Sequence, residues 1–239
     1  MKKHIYLLVF IILLASCSRQ VSLTKLPDGR HSTNAYSSSP TNATPVPIVA
    51  PQPVYRIAYT DPRDYYEDAF TQLKSMLEGK QPESFKQAVF ITENAWYKNQ
   101  LNYRAYNKYI SSLANVCKAW DKANPLVYDK WDFDSSEVAL NGAIYHVMND
   151  TVKDKKGNII TNPYHYDFNN CFARYNWTNM FVTKLMTTHG GNCHSLPFLY
   201  KMLAEELGTK AYLSFLPGHI YINQYSRKTS WYNTELTGF

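Results

Sequence analysis

The fold is decided by the stretch His189-Gly190-Gly191-Asn192-Cys193-His194-Ser195-Leu196-Pro197, because a regular helix begins within it. Apolar residues then recur at steps of three and four, which predicts one buried helix face: Leu196, Leu199, Tyr200, Leu203, Ala204 and Leu207. Gly208 is typical of a helix C-terminus. Pro197 has no amide N–H and belongs in the first turn, so the N-cap is expected at about His194. Gly190 and Gly191 predict a sharp backbone turn into the helix.

Cys193 therefore lies at the mouth of this helix. Unpaired amides and the positive end of the helix dipole stabilise a thiolate and lower a cysteine pKa, which favours a nucleophile. The same amides can donate to an oxyanion, and Asn192 and His194 are candidates for oxyanion or substrate binding. The alternative is a buried cysteine that only fills a helix–loop junction.

The end of the chain predicts a small antiparallel sheet. Residues 211–216 form a strand run, Pro217-Gly218 is a turn, and 219–225 alternates as a second strand. A third strand is expected from Trp231 to Leu236. His219 begins the middle strand, and Asn233 and Glu235, two residues apart, are expected on one face of the third.

A helix-start cysteine, a strand histidine and a polar residue on the next strand are the parts of a cysteine–histidine catalytic set. Three motifs carry a more specific signal: Gly191-Asn192-Cys193-His194-Ser195-Leu196-Pro197, Pro217-Gly218-His219 and Trp231-Tyr232-Asn233-Thr234-Glu235. Together they resemble the transglutaminase-like superfamily, particularly its bacterial branch related to SirB-type proteins. The resemblance covers about residues 177–239.

This resemblance implies an α+β fold with a papain-like core, preceded here by a helical region, and a triad in which Cys193 is the nucleophile and His219 the base. Many members carry Asp at the third position, where this chain offers Glu235 or Asn233. We favour Glu235 because a carboxylate stabilises an imidazolium, while Asn233 stays open because an amide can orient the ring. The family usually adds strands beyond this acid, whereas the sequence stops at Phe239, so a truncated product is one expectation.

Zinc is the rival interpretation for the same atoms, since thiolate and imidazole are zinc ligands. The candidate ligands are His189, Cys193, His194 and His219. No Cys-x-x-Cys or His-Glu-x-x-His spacing accompanies them, and a histidine at a helix start points away from its neighbour in many geometries. We therefore expect no metal and no cofactor.

The region before the catalytic motifs predicts packing helices. Four helices are expected: 64–77, a second opened by Pro82-Glu83-Ser84, 103–120 and 177–186. Residues 139–147 are compatible with helix or strand. Glu93 sits among apolar neighbours, which leaves a buried acid as the alternative, while a solvated or capped glutamate is favoured.

The N-terminus is typical of an export signal. Lys2 and Lys3 precede an apolar run too short to span a bilayer comfortably. Leu14-Ala15-Ser16-Cys17 resembles the lipobox of bacterial lipoproteins, which implies cleavage after residue 16 and lipid on Cys17. The alternative is an ordinary secretory peptide. The residue after Cys17 is Ser18 and not the aspartate that signals inner-membrane retention in many enterobacteria. This weakly favours the outer membrane, on its periplasmic or surface face.

Residues 17–54 are rich in Ser, Thr, Asn and Pro and predict a flexible tether, so the folded domain is expected over 55–239. The formal charge of +6 includes Lys2 and Lys3, whose removal leaves +4. Without a basic cluster interleaved with aromatics, this excess gives no case for nucleic acid. Lipidation of Cys17 leaves Cys117, Cys171 and Cys193; a Cys117–Cys171 disulfide and two buried thiols are both compatible with the spacing.

Two functions from different classes are compatible with these residues. The first is thiol acyl transfer, in which Cys193 attacks a peptide or side-chain amide and the thioester passes to water or to an amine. Hydrolysis is favoured over crosslinking, because water reaches an envelope site by default. The second is a catalytically inactive, lipid-tethered module that binds a protein or peptide partner.

Overall fold

A computed structural model describes residues 63–126 and 134–238. The expected signal, Cys17, the tether, residues 55–62 and 127–133, and Phe239 lie outside the described residues. The described chain is an α+β protein with several helices and small sheets. None of its described helices is long and apolar enough to cross a membrane.

The first half of the domain is helical, as the periodicity predicts. Its helices are α1 (Arg63–Leu77), α2 (Phe85–Trp96), α3 (Tyr103–Ala123) and α4 (Ser135–Asn149). Ser84 caps α2 by accepting a hydrogen bond from Gln87 N at 3.2 Å, and Asn102 caps α3 in the same way. The segment 139–147, which the sequence left open, lies within α4.

The second half alternates short helices and strands. Its helices are a 3₁₀ turn (Trp177–Met180), α5 (Val182–Thr188) and α6 (Ser195–Leu207). Its strands are β1 (Val152–Lys153), β2 (Ile159–Thr161), β3 (His165–Tyr166), β4 (Gly190–Gly191), β5 (Tyr212–Leu216), β6 (His219–Ser226) and β7 (Ser230–Thr234). The pair β1–β2 is antiparallel, β3–β4 is parallel, and β5–β6–β7 form the predicted antiparallel sheet.

Helix α6 lies at the centre of the domain. It packs against α3, α4, α5 and the sheet strands β5 and β6, and its side chains are buried on more than the predicted face. Tyrosines join it to its neighbours through polar bonds inside the core. Tyr200 Oη donates to Asn141 O at 2.7 Å and accepts from Gln224 Nε2 at 2.6 Å, so α4, α6 and β6 are fixed in register.

The single helix expected over 177–186 was a wrong prediction. The chain instead breaks at Phe181, whose backbone is extended at φ −94° and ψ 136°. The Phe181 ring packs edge-on against Trp96, with centroids 5.8 Å apart, and against Tyr97. This contact with the end of α2 overrides the local helical pattern, so α5 begins anew at Val182.

Glu93 on α2 provides the cap that α5 requires. Its side chain is 3 % exposed, and its two oxygens accept hydrogen bonds from Val182 N at 2.7 Å and Thr183 N at 2.9 Å. Burial raises the pKa of this carboxyl to about 7, against these hydrogen bonds. The solvated glutamate that the sequence favoured is therefore wrong. Glu93 is the buried acid of the alternative interpretation, and its carboxylate is satisfied by the first amides of α5.

The last strand is shorter than the sequence predicts. It ends at Thr234, and Glu235 lies beyond it rather than on a strand face. Glu235 Oε1 accepts from the following amides, Leu236 N at 2.9 Å and Thr237 N at 3.0 Å. A side chain that bonds its own downstream backbone competes with the strand ladder, and the chain turns.

Cys117 and Cys171 are not joined by a disulfide. Cys117 is on the buried face of α3, where burial raises the pKa of its thiol far above the usual range, and Cys171 is half-buried. Of the two arrangements that the sequence allowed for this pair, the structure has the separate thiols.

Glu93→Gln should change how stability depends on pH. The Glu93 pKa is raised from 4.5 to about 7, so its stabilising contribution is present below pH 4.5 and is lost as pH rises to 7. Between pH 4.5 and 7.5 we expect the unfolding free energy of the wild type to fall by about 3 kcal/mol more than that of Glu93→Gln. Urea denaturation at the two pH values measures this difference.

Glu83→Gln is the matched control, because Glu83 is an exposed carboxyl immediately before the Ser84 cap. It should keep the wild-type pH slope. Equal slopes for the wild type and Glu93→Gln would contradict the assigned pKa and its cause.

Candidate active site

The turn that carries Cys193 is closed by reciprocal hydrogen bonds. Asn192 N donates to Ser195 Oγ at 3.0 Å, and Ser195 N points back to Asn192 Oδ1 at 3.5 Å. Leu196 N donates to Asn192 O at 3.1 Å, so helical bonding begins before the first residue of α6. This is the capping-box arrangement, and it places Cys193 in the opening turn of the helix.

The expected N-cap, His194, does precede α6, but its side chain makes no capping bond. The Asn192 side chain performs that function: its Oδ1 also accepts from His194 N at 3.0 Å, and its Nδ2 donates to Cys171 O at 3.0 Å. Asn192 is 1 % exposed. Its burial and bonds favour a structural part in the turn over the predicted contact with substrate.

Gly190 and Gly191 are explained by close packing and not by the predicted sharp turn. The left-handed residue is His189, at φ 57°, while the two glycines form β4 and pair with His165 and Tyr166. A Cβ on Gly191 would lie 2.2 Å from Ser195 Oγ. A side chain there would displace the serine that closes the turn carrying Cys193.

His219 and Glu235 form a bonded pair. His219 opens β6, and its Nε2 lies 2.9 Å from Glu235 Oε2. Thr237 Oγ1 donates to the other carboxylate oxygen at 2.6 Å, so the acid is held from both sides. Burial opposes ionisation of Glu235, but the hydrogen bonds from Thr237 and His219 outweigh it and lower its pKa below the usual value.

Cys193 lies at the end of the sheet where this pair is found. Its Sγ is 4.0 Å from the carbonyl oxygen of Gly218, the residue before His219, and the side chain is 7 % exposed. Because Nε2 of His219 is bonded to Glu235, Nδ1 is the ring nitrogen that can serve the thiol.

The imidazole of His194 approaches the sulfur directly. His194 Nδ1 is 3.8 Å from Cys193 Sγ, although the sequence suggested that His194 would point away. Burial, together with the nearby His219, lowers the pKa of His194 to about 4. His194 is therefore neutral near pH 7 and is a weak holder of the thiol proton, whereas His219 has a carboxylate to stabilise its imidazolium.

The structure does not bring Asn233 to the histidine. Asn233 is exposed and pairs with Asn223, four residues along β6 from His219. At the rise of an extended strand this separation is about 13 Å. Of the two candidates for the third position, only Glu235 contacts His219.

Tyr166 is a site residue that sequence reasoning missed. It pairs across β3 and β4 with Gly191, which lies two residues before Cys193. Burial raises its pKa, and the nearby Cys193, Cys171 and Glu235 raise it further, so its phenol stays neutral. The aromatic stretch 164–170 was visible in the sequence, but its pairing with the Gly-Gly strand was not, because that contact is non-local.

The zinc interpretation has no geometric support in residues 63–126 and 134–238. No three His, Cys, Asp or Glu side chains come together there as metal ligands would. His189, one of the four candidate ligands, is stacked on Tyr164, and its Nδ1 lies 3.0 Å from Asn162 O.

Gly191→Ala should disrupt the nucleophile turn. The new methyl group would displace Ser195 Oγ and break its bond to Asn192 N, so we expect a loss of about 2–4 kcal/mol in unfolding free energy and altered Cys193 reactivity. Thermal denaturation and alkylation of Cys193 measure the two effects.

Gly142→Ala is the matched control, because no atom lies within 4 Å of a Cβ on this α4 glycine. It should raise stability by about 1 kcal/mol through helix propensity. A Gly191→Ala variant as stable as Gly142→Ala would contradict the packing argument.

Comparison with protein-family models, curated proteins and solved structures finds no match for this chain.

Proposed function

We propose that the protein is a thiol-dependent hydrolase or acyltransferase of the cell envelope, with a transglutaminase-like, papain-like catalytic core. The observation that carries the proposal is the 2.9 Å bond between His219 and Glu235 beside a cysteine in the opening turn of α6. A base oriented by a third group next to a helix-start thiol is the arrangement that nucleophilic catalysis requires.

In the proposed reaction, His219 Nδ1 takes the proton of the Cys193 thiol, and the sulfur attacks the carbonyl carbon of a peptide or side-chain amide. The C–S bond forms as the carbonyl becomes an oxyanion. The imidazolium then gives its proton to the departing amine, the C–N bond breaks, and a thioester remains. Water or a second amine attacks the thioester, returns a proton through His219, and frees the thiol.

Glu235 serves this cycle by holding the Nε2 side of the ring. Its lowered pKa keeps it anionic near pH 7, where the negative charge favours the imidazolium formed at each proton transfer. Its bonds to Thr237 and to the downstream backbone keep the carboxylate fixed while the ring changes charge. Tyr166 places a neutral hydroxyl near the Cys193 thiol.

The second candidate is an inactive binding module with the same fold. The burial of Cys193, at 7 % exposed, is the observation that favours it, because a substrate must reach the sulfur. The pH dependence of thiol reactivity distinguishes the two candidates.

The test is the rate of Cys193 alkylation by iodoacetamide between pH 5 and 10, followed on the Cys193 peptide by mass spectrometry so that Cys117 and Cys171 are read separately. The active-site proposal predicts a midpoint below the ordinary cysteine value of about 8.5. His219→Ala should move the midpoint up and slow labelling at pH 6.5 at least tenfold. Glu235→Gln should have a smaller effect in the same direction, because the amide cannot stabilise the imidazolium.

His146→Ala is the matched control, since this histidine belongs to α4 and is bonded to Asp150. It should leave the Cys193 profile unchanged. A Cys193 midpoint near 8.5 that does not respond to His219→Ala would overturn the enzyme proposal in favour of the binding module. A profile that responds to His194→Ala and not to His219→Ala would show that His194 is the base and that the assignment to His219 is wrong.

We also propose that lipid on Cys17 anchors the protein, in the outer membrane, after cleavage of residues 1–16. The residues that support this are the lipobox-like Leu14-Ala15-Ser16-Cys17 and the polar tether that follows. Several acyl chains on one residue give stable anchoring.

Cys17→Ser should therefore release the protein from the membrane fraction of a bacterial host and abolish incorporation of a labelled fatty acid. Cys171→Ser is the control and should remain membrane-bound and labelled. Membrane retention and labelling of Cys17→Ser would exclude this anchor.

A further inference from the structure

The loop that follows β3, residues 167–176, is fastened to the turn that carries Cys193. Asp167 N donates to Gly191 O at 2.7 Å, and Asn192 Nδ2 donates to Cys171 O at 3.0 Å. We name this segment the aromatic loop. Its two attachments fix it beside the nucleophile, although it contains no regular helix or strand.

Large aromatic side chains in and next to this loop are exposed to solvent: Phe168, Phe172, Tyr175 and Trp177. Single exposed apolar residues are ordinary, whereas exposed apolar patches mark binding sites, and these four side chains lie within ten residues of sequence. Phe172 is covered on one face by the Arg174 guanidinium, 5.3 Å from its ring centroid. Phe168, at 66 % exposed, has a ring available to a ligand.

Phe168 is connected to the thiol through Tyr166. The two rings meet edge to face with centroids 4.9 Å apart, and Tyr166 pairs with Gly191 in the strand that leads to Cys193. The aromatic surface therefore runs from the nucleophile turn outward to Phe168. At the other catalytic residue, the exposed Leu216 is the β5 partner of His219, so apolar surface also adjoins the base.

The charge of the aromatic loop is compatible with an apolar ligand. Its one acid, Asp167, accepts hydrogen bonds from Asn169 N and Asn170 N and lies 3.8 Å from Lys184 Nζ. This carboxylate is satisfied within the loop and its neighbours. The one base of the loop, Arg174, is exposed, and its guanidinium lies over the Phe172 ring.

We propose that Phe168, with Tyr166 at its base, forms a subsite for a large apolar, preferably aromatic, side chain next to the scissile carbonyl of an acyl-donor peptide. The subsite rests on the proposed function in that Cys193 must be the attacking group. Aromatic rings stack on one another with favourable geometry, and burying such a side chain favours binding more than a glycine at the same position.

Two affinity reagents that differ only in this side chain test the subsite: the chloromethyl ketones of N-acetylphenylalanine and N-acetylglycine. In each, the Cys193 sulfur forms a bond to the chloromethyl carbon and chloride leaves. Rates are measured on the Cys193 peptide of the full-length protein and expressed relative to iodoacetamide in the same variant. We expect the phenylalanyl reagent to react at least tenfold faster than the glycyl reagent.

Phe168→Ala should reduce this ratio to within about threefold of one, and Phe168→Leu should retain part of it. Phe70→Ala is the matched control, since Phe70 is a half-exposed aromatic on α1, and α1 packs on α2. It should keep the full ratio. Circular dichroism of each variant checks that the fold is intact.

Equal rates for the two reagents in the wild type would overturn the subsite, as would an unchanged ratio in Phe168→Ala. If Phe168→Ala changes the oligomeric mass in solution while the ratio stays the same, the exposed aromatic residues form a contact between copies of the chain. That result would also overturn the subsite. Failure of the proposed function is separate, because it appears as an iodoacetamide profile that does not respond to His219→Ala.

Discussion

The reciprocal hydrogen bonds between Asn192 and Ser195 are the constraint on which the site depends. They close the turn at the start of α6, and they work only because Gly191 leaves room for the serine hydroxyl. Ser195 Oγ in turn donates to Asn179 O at 3.0 Å, which ties the turn to the 3₁₀ segment. Gly191 and Asn192 on one side of Cys193, and Ser195 on the other, thus fix the position of its sulfur. The apolar residues of α6, which are buried in the core, hold this turn in place.

His194 approaches the Cys193 sulfur directly, and His219 follows Gly218, whose carbonyl oxygen lies 4.0 Å from that sulfur; the surroundings of the two imidazoles give them different chemistry. His194 is buried without a carboxylate, so its charged form is disfavoured and its pKa falls to about 4. His219 faces Glu235, whose own charge is maintained by the hydroxyl and amide of Thr237. Residue type alone did not separate these histidines. The distinction comes from the partner that each ring meets, and it is the physical reason for proposing His219 as the base.

Much of the fold followed from local pattern. Ser84, Pro197 and Gly208 marked helix ends correctly, and the alternation after Pro217 predicted the antiparallel sheet. The failures have two kinds of cause, contacts with distant residues and side-chain bonds to the adjacent backbone. Phe181 breaks a predicted helix because it packs on α2, and Glu235 leaves the predicted strand because its side chain bonds the next two amides. The β3–β4 pairing that brings Tyr166 to Cys193 had no local signal, since it joins residues 25 apart in sequence.

The hydrogen bonds of the Glu93 carboxylate bear on how much of the chain the domain needs in order to fold. The motifs on which the proposed function rests occupy only the last quarter of the sequence, from about residue 177. Yet the helix that leads into the turn carrying Cys193 receives its first two amide bonds from Glu93 on α2. A shortened protein that begins after α2 would expose those amides and uncover Phe181. The smallest autonomous version of this domain therefore includes α2, even though α2 carries none of the catalytic motif residues.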